Sequence, residues 1–314
     1  MSSPALIGSA PDSWGVWFPD DAQQTPWERF LDEVATAGYT RVELGPYGYL
    51  PTDPVRLTEE LGSRGLTLTA GTIVEHLHRP ASWESTWRDV AAAGALTAAM
   101  GARHLVVIPD FRRDPRTGAV IEPAGLSADE WPRYAAQVNR LAREVQDGFG
   151  LRIQFHPHAD TQVDTHANVE RFLAETDPDL VSLCLDTGHI AYCDGDNLAL
   201  IRDHPRRIGY VHLKQVDPAV MATVRAEGTG FGEAVRMGAM CEPPRGIPDL
   251  PPILDALAHL DHVELFAIVE QDLYPCTPDV PLPIATRTLD YLRSCGTSAR
   301  AGADTPPTHR GAGS

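Results

Sequence analysis

Histidines and carboxylates follow several apolar, strand-like segments of this 314-residue chain. In the segment 181–186, Ser182, Cys184 and Asp186 alternate with apolar residues, and Asp186 is followed at once by Thr-Gly-His. Because alternate residues of a strand point to the same side, these three side chains share one face, and Asp186 stands at its carboxyl end. Three other segments end in similar groups: His156 with His158, Tyr210 with His212 and Lys214, and Glu270 with Asp272. Imidazole and carboxylate groups together suit Mn²⁺, Co²⁺, Fe²⁺ or Zn²⁺ better than Ca²⁺, so the spacing predicts a shared metal site.

Each of these residues also has an ordinary structural interpretation. Asp186 could cap the turn that follows it, since Asp is common at helix starts. His156, next to Pro157, could be a turn histidine. His212 could be a hydrogen-bonded core residue, and Glu270 could pair with an arginine. Such coincidences on consecutive strands favour one site, because barrel enzymes place their chemistry at the carboxyl ends of the strands.

Strand-like and helix-like segments alternate along the chain. The strand-like ones span residues 5–9, 41–44, 66–72, 103–108, 151–155, 180–185, 207–213 and 262–269. Eight strand–helix repeats in an unbroken series predict an α/β fold, a single (β/α)8 TIM barrel over residues 1–295. A doubly wound open sheet is the alternative, but no glycine-rich phosphate loop follows the first strand.

Two segments fall outside the repeats. Residues 217–245 read as irregular, with a helical piece near 231–237, and could cover the pocket as a lid. Residues 296–314 are rich in Gly, Ala, Thr and Pro without an apolar pattern, which predicts a disordered carboxyl-terminal tail.

Composition and charge favour a cytoplasmic globular protein that acts on a small molecule. Hydrophobic residues make up 43% and charged residues 22% of the chain, and no run of about 18 apolar residues could span a membrane. The formal net charge of −17 opposes binding to nucleic acid. The amino terminus lacks the basic and apolar regions of a signal peptide. The five cysteines are an odd, scattered set, which fits a reducing compartment, and Cys184 and Cys241 read as small fillers.

Several short motifs carry these residues. They are Ala10-Pro11-Asp12-Ser13-Trp14, Glu43-Leu44-Gly45, Phe155-His156-Pro157-His158, Asp186-Thr187-Gly188-His189, His212-Leu213-Lys214, Ala234-Val235-Arg236-Met237-Gly238 and Glu270-Gln271-Asp272. The set resembles the xylose-isomerase-like superfamily of sugar isomerases, epimerases and endonucleases, and more closely its inosose dehydratase family. The likeness spans residues 5–294 and leaves out the tail.

The resemblance implies a divalent-metal site in which Asp186, His212 and Glu270 are ligands. The superfamily usually has a Glu after strand five, where this chain has His156. His156 is therefore the expected fourth ligand, with His158 or a water as the alternatives. Mn²⁺ or Co²⁺ is the expected ion, and Zn²⁺ or Fe²⁺ is compatible with the same ligands.

The resemblance also implies an activity, the loss of water from a keto-cyclitol such as 2-keto-myo-inositol (scyllo-inosose), through an enolate, to a cyclohexane-dione. The metal ion would stabilise the enolate oxygen while a base takes the α-proton and an acid protonates the leaving hydroxide. The candidate acids and bases are His158, His189 and Lys214. The candidate substrate-binding residues are Asp12 and Glu43 for hydroxyl groups and Trp14 and Trp17 for the pocket walls. A homodimer is the assembly that the family suggests.

Other functions remain possible on the same fold. A sugar isomerase or epimerase would use the same metal and enediolate, but such epimerases use two opposed glutamates, and the one on strand five is absent here. A lyase that acts on 3-oxo-glycosides would also eliminate next to a ketone. An abasic-site endonuclease would need more histidine ligands and a basic face, and a non-enzymatic barrel would bind a cyclitol without converting it.

Overall fold

Parallel strands alternate with helices along the chain and close into a barrel in the computed structural model, which describes residues 6–79, 81–261 and 264–303. The strands are β1 (Leu6–Ser9), β2 (Arg41–Val42), β3 (Thr67–Leu68), β4 (Ala70–Glu75), β5 (His104–Pro109), β6 (Arg152–Phe155), β7 (Val181–Asp186), β8 (Ile208–Leu213), β9 (Gln215–Val216), β10 (Met240–Cys241) and β11 (Phe266–Val269). Strands β9 and β10 form a separate antiparallel ribbon.

The remaining nine segments form one parallel sheet in the order β3-β2-β1-β11-β8-β7-β6-β5-β4. Its two end segments, β3 and β4, are separated in the chain by Thr69 alone, so they are two halves of one strand. Backbone hydrogen bonds continue across this junction, from Thr69 N to Val42 O at 3.0 Å and from Leu44 N to Ala70 O at 3.0 Å. The sheet is therefore closed, and the predicted TIM barrel is confirmed.

Helices surround the barrel. They are α1 (Trp27–Thr36), α2 (Pro54–Gly62), α3 (Trp83–Ala99), α4 (Glu130–Phe149), α5 (His166–Glu175), α6 (Thr187–Tyr192), α7 (Asn197–Asp203), α8 (Pro218–Glu227), α9 (Phe231–Arg236), α10 (Leu250–Ala258) and α11 (Pro281–Ala303), with a 3-10 turn at Pro11–Trp14. In the part of the chain that the structure describes, no helix is long and apolar enough to cross a membrane.

The segment 217–245 is more regular than its sequence predicts. It contains the helix α8, which begins at Pro218 after Asp217, whose side chain accepts hydrogen bonds from the N–H groups of Ala219 and Val220. An Asp cap followed by Pro is a helix-start signal, and it was present in the sequence. Helix α6, which follows β7 directly, was also not expected.

The ends of the predicted barrel fall partly outside the described residues. The predicted eighth strand begins in the structure at Phe266, and positions 262 and 263 of the prediction are not described. Helix α11 continues to Ala303, past the predicted start of the tail at residue 296. Residues 304–314 lie outside the described residues, so the disordered tail stays a prediction.

The interior of the barrel is filled by side chains from alternate strand positions. Ala70, Val106, Cys184, Tyr210 and Ile268 form one buried cluster inside the barrel. The other face of β7, with Leu183 and Leu185 among its residues, belongs to the larger core. The two-faced pattern of β7 in the sequence thus corresponds to an inner small-residue face and an outer apolar face.

A bulge in β8 sets the level at which its polar residues meet those of β7. Leu183 pairs with Ile208 but Cys184 pairs with Tyr210, so Gly209 is an extra residue in the ladder. Above this point the register is regular again. A bulge changes which side chains face a neighbouring strand, and this one places Asp186 opposite His212.

Replacing Gly209 with Ala should lower the free energy of unfolding by about 1–3 kcal/mol, because the packed interior cannot take an added methyl group. A Cβ at this position would lie 2.7 Å from the Cβ of Ser182, which is fixed to the backbone of β7. Urea denaturation of the EDTA-treated protein measures the change. The matched control is Gly62→Ala in α2, where a Cβ would meet nothing within 4 Å and should stabilise by up to about 1 kcal/mol. Equal midpoints for the two variants would contradict the packing argument.

Candidate active site

Four buried side chains meet at the carboxyl ends of four neighbouring strands. His156 follows β6, Asp186 ends β7, His212 lies in β8 and Glu270 follows β11. Each residue contributes one potential ligand atom, and these four atoms all lie within 4.8 Å of one another. The shortest separations are 2.8 Å from His212 Nδ1 to Glu270 Oε2 and 3.2 Å from His156 Nε2 to Asp186 Oδ2. We call these four residues the His–carboxylate cluster.

The cluster has the features expected of a site for a divalent cation. His212 Nδ1 is buried and has no partner with hydrogen-bond geometry among the described residues, although Glu270 Oε2 is 2.8 Å away. The two atoms are therefore close enough to bind the same ion. Two imidazole nitrogens and two carboxylate oxygens are a donor set that borderline divalent metals accept.

The charges of the cluster also fit a cation. Burial opposes ionisation of Asp186, but its neighbours, the Lys214 ammonium foremost, outweigh it and hold the pKa of Asp186 well below its usual value. Burial likewise opposes ionisation of Glu270, yet His212 and Lys214 lower its pKa to about 2. Both groups are thus carboxylates at neutral pH, and buried carboxylates need a positive partner.

Asp186 serves the cluster and the following helix at the same time. Its Oδ1 accepts a hydrogen bond of 2.8 Å from the N–H of His189 and caps α6, while its Oδ2 faces the cluster. The capping interpretation of this residue and the site interpretation therefore both hold, one for each oxygen.

The remaining residues of the Asp-Thr-Gly-His motif hold Lys214 in place. The hydroxyl of Thr187 donates to the carbonyl of Lys214 at 2.7 Å and accepts from its N–H at 2.9 Å. A side chain at Gly188 would collide with the Cβ of Lys214, so glycine permits the close approach of the two segments. His189 Nε2 lies 3.2 Å from Lys214 Nζ. The motif thus fixes the position of Lys214, which follows β8.

Lys214 is a buried ammonium group among carboxylates. Its Nζ lies 2.9 Å from both Glu270 Oε2 and Asp272 Oδ2, 3.3 Å from Asp186 Oδ2 and 3.5 Å from Asp12 Oδ2. Burial alone would lower the pKa of Lys214, but these carboxylates outweigh it and raise the pKa well above its usual value. Lys214 is therefore charged at neutral pH.

His158 and His189 form a neutral pair beside the cluster. Their ring centroids are 3.6 Å apart, and the ring of Phe231 covers both at 4.8 and 5.0 Å. Burial lowers both pKa values well below the usual range, helped by His156 and Lys214 at His158 and by His158 and Lys214 at His189. Both rings are therefore neutral at neutral pH, and the Nδ1 of His189 accepts a hydrogen bond from the N–H of Ala159.

A cavity of about 480 Å³ opens above the cluster. Asp12, His158, Lys214 and Glu270 are among the polar residues that line it, and Trp17, Phe18, Phe111 and Phe231 are among the aromatic ones. Asp12 Oδ1 is buried and without a hydrogen-bond partner among the described residues. His189 lies behind this lining, in contact with Lys214 and His158.

Two of the predicted substrate-binding residues have other roles in the structure. Trp14 is fully buried in the main core, where its Nε1 donates to Glu33 Oε2 at 2.9 Å and its ring packs on Phe30 at 5.1 Å. The expectation that Trp14 walls the pocket is therefore corrected. Trp14 ends a 3-10 turn that directs its ring at Phe30 and Glu33 of α1.

Glu43 orients a cluster residue although it borders the cavity. Its Oε1 lies 2.8 Å from His212 Nε2, and its Oε2 accepts from the hydroxyl of Thr72 at 3.1 Å. A carboxylate on one ring nitrogen of a histidine fixes the tautomer and aims the other nitrogen at a metal. Glu43, expected to bind a substrate hydroxyl, thus has both oxygens engaged within the protein.

Trp17 and Asp272 act together at the cavity. Trp17 lines it as expected and stacks between Phe231 and Tyr274, at 5.9 and 5.1 Å. Its Nε1 donates to Asp272 Oδ1 at 3.1 Å. The sequence placed Asp272 on the strand face of Glu270 but gave no role for it. No sequence pattern pointed to Phe231, because it lies in the segment 217–245, outside the strand–helix repeats.

Comparison with known proteins identifies the family. The chain belongs to the xylose isomerase-like TIM barrel family, whose family model matches residues 31–295. Within that family it is similar to the inosose dehydratase of Geobacillus kaustophilus, with 30% identity over 302 residues that cover 92% of this chain and 94% of the relative. The inosose dehydratase of Geobacillus thermodenitrificans is 29% identical over 296 residues, which cover 92% and 97%. The rhizopine catabolism protein MocC of Rhizobium meliloti is 32% identical over 249 residues, which cover 77% and 75%. The resemblance inferred from the motifs is confirmed.

Solved structures show the same fold. The probable 3-DHS dehydratase AsbF from Bacillus anthracis superposes with a TM-score of 0.69 at 15% identity, covering 92% of this chain and 98% of that one. The IolI protein, solved with a binding zinc atom, gives a TM-score of 0.69 at 15% identity, covering 94% and 98%. An L-ribulose 3-epimerase gives 0.68 at 19% identity, covering 98% and 100%.

Replacing Glu43 with Gln should weaken Mn²⁺ binding by about 10–100-fold, because the amide orients the His212 ring less firmly and makes it a poorer ligand. Isothermal titration of EDTA-stripped protein measures the affinity. The matched control is Glu242→Gln, a buried carboxylate that pairs with Arg287. Affinities that are equal in the two variants would rule out an orienting role for Glu43.

Proposed function

We propose that this protein is a divalent-metal-dependent dehydratase that removes water from a keto-cyclitol such as 2-keto-myo-inositol (scyllo-inosose), giving a cyclohexane-dione. The His–carboxylate cluster at the base of a cavity of about 480 Å³ is the feature that supports this proposal most directly. The similarity to proteins named inosose dehydratase, at 27–30% identity over most of the chain, supports the substrate class. The zinc atom in the IolI structure supports a divalent metal in this fold.

His156, Asp186, His212 and Glu270 would hold the metal ion. A bound Mn²⁺ or Co²⁺ would act as a Lewis acid that stabilises the enolate oxygen. Zn²⁺ and Fe²⁺ are compatible with the same donor atoms.

The reaction needs one proton removed and one supplied. The α C–H bond breaks, a carbon–carbon double bond forms, and the C–O bond of the β-hydroxyl breaks, so that hydroxide leaves and takes up a proton as water. The resulting enol then becomes the dione by moving a proton from oxygen to carbon. No oxidant or reductant is required.

His158 is the residue best suited to remove the α-proton. Its Nδ1 lies 2.8 Å from the carbonyl oxygen of Ala159, which can only accept, so Nδ1 carries the ring proton and Nε2 is the free acceptor. His158 lines the cavity and is neutral at neutral pH, because burial lowers its pKa.

Lys214 and Asp12 are suited to the departing hydroxyl group. Lys214 is charged and lines the cavity, so its ammonium group can donate a proton to the leaving hydroxyl. The Nδ1 of His189 accepts from the N–H of Ala159, so His189 positions Lys214 rather than taking its proton. Asp12 Oδ1 has no hydrogen-bond partner among the described residues and is available to a substrate hydroxyl. Trp17 would pack against the ring of the cyclitol.

EDTA should abolish the conversion of scyllo-inosose, and Mn²⁺ or Co²⁺ should restore it, as read by the ultraviolet absorbance of the dione. Glu270→Gln should lower kcat/KM by about 10²-fold or more, since the metal contributes several kcal/mol. Glu242→Gln, outside the cavity, should leave the rate unchanged. Purified protein that binds the metal but leaves inosose untouched while it epimerises a ketose would overturn the dehydratase proposal in favour of an epimerase.

His158→Asn should lower kcat by about 10²–10⁴-fold, as expected for loss of a general base, with a smaller effect on KM. The same variant should stop the exchange of the substrate α-proton in D₂O, which proton NMR follows. His204→Asn, which changes a histidine paired with Glu170, is the control. Exchange that continues at the wild-type rate in His158→Asn would exclude this residue as the base.

The pH profile tests the same assignment. The base form of His158 persists below the usual histidine pKa of 6.5, because burial and the neighbouring His156 and Lys214 lower its pKa. The wild-type kcat should therefore hold as the pH falls through 6.5 and decline only in more acidic solution. A kcat that halves at pH 6.5 would contradict this, and circular dichroism at each pH separates it from unfolding.

A further inference from the structure

Cys184 lies against the two histidines of the His–carboxylate cluster. Its sulfur and one ring nitrogen each from His156 and His212 are all within 4.8 Å of one another, and all three residues are buried. Cys184 precedes Asp186 by two residues in β7, so its side chain is on the same face but one layer deeper in the barrel. From the sequence alone this residue reads as a small filler.

Two donor sets therefore share the same pair of histidines. The upper set adds the carboxylates of Asp186 and Glu270, and the lower set adds the sulfur of Cys184. Carboxylate oxygens suit harder ions such as Mn²⁺, whereas a thiolate favours softer ions such as Zn²⁺ and Cd²⁺. Three protein ligands of the kinds Cys and His are also enough for a zinc ion, which takes a further ligand in its fourth position.

We propose that His156, Cys184 and His212 form a second metal position, which holds a thiophilic divalent ion deeper in the barrel than the ion of the carboxylate set. Binding replaces the S–H bond by a sulfur–metal bond and releases the thiol proton to solvent, with no change of oxidation state. Because both positions use both histidines, only one ion is held at a time.

The surroundings of Cys184 favour such a position. The residues clustered with it inside the barrel are Ala10, Ala70, Val106, Tyr210 and Ile268, and they are buried and predominantly apolar. Few water molecules would compete with the thiolate for an ion there, while the cost of taking the ion out of water opposes binding and is offset by its bonds to the three ligands. The consequence is that Zn²⁺ or Cd²⁺ displaces Mn²⁺ from the protein, whatever reaction the protein catalyses.

The optical spectrum of the Co²⁺-loaded protein tests the proposal without any substrate. Wild-type protein should show a thiolate-to-Co²⁺ charge-transfer band in the near ultraviolet, and Cys184→Ser should lose the band. Cys193→Ser, which removes another free cysteine outside this set, should keep it. Glu270→Gln should also keep it, since Glu270 belongs only to the upper set. Absence of the band from wild-type protein that has bound Co²⁺, or its persistence in Cys184→Ser, would overturn the proposal.

Competition gives an independent reading. Cd²⁺ added to Mn²⁺-loaded protein should release free Mn²⁺, which electron paramagnetic resonance detects. Cys184→Ser should need at least about tenfold more Cd²⁺ for the same release. Loss of a residue that binds the metal directly should cost at least as much affinity as loss of a residue that only orients a ligand. Equal Cd²⁺ requirements in wild type and Cys184→Ser would count against a sulfur ligand. Because the readout is metal alone, failure here is distinct from failure to convert inosose. Cys184→Ala serves in the same measurements if the serine variant does not fold.

Discussion

The ammonium group of Lys214 is the charge on which the upper end of the barrel depends. Four carboxylates approach it within 3.5 Å, those of Asp12, Asp186, Glu270 and Asp272. Loss of one partner from a buried ion pair leaves an uncompensated charge that costs about 3–5 kcal/mol. Replacing any one of these residues should therefore destabilise the others. Burial raises the pKa of Asp12 well above its usual value and also raises that of Asp272, whereas the pKa values of Asp186 and Glu270 are lowered. The proposed divalent ion would bind beside the two carboxyl groups that stay charged. The polar residues of the cavity are thus one electrostatic unit.

The general plan of this site follows from rules that act over a few residues. Strand parity and the parallel arrangement together led to the expectation that His156, Asp186, His212 and Glu270 would lie close together, and they do. The same rules apply to Asp272, two residues after Glu270. These rules do not give the register of one strand relative to the next. Here that register depends on the bulge at Gly209. A lone glycine within a strand pattern suggests a bulge, but it does not give the resulting register.

Contacts between residues far apart in the chain could not be predicted from the sequence. The carboxylate of Glu43 meets His212 across 169 positions, so nothing near Glu43 indicates that it orients a histidine. The direction of Trp14 depends on the 3-10 turn in which it lies. The segment 217–245, which covers the site, was expected to be irregular. In the structure, α9 begins there at Phe231, whose N–H donates to Asp160 Oδ2 at 2.6 Å. Whether this cover opens and closes stays a prediction.

The two oxygens of Asp186 couple metal occupancy to the order of the chain that follows β7. One oxygen holds the first turn of α6, and the other faces the proposed ion. An ion that fixes this carboxylate therefore also reinforces the helix cap, and by thermodynamic linkage a well-formed cap raises the affinity for the ion. Amide hydrogen exchange in α6 would then slow as metal is loaded. In this barrel, metal supply would thus regulate how long the helix behind the cavity stays folded.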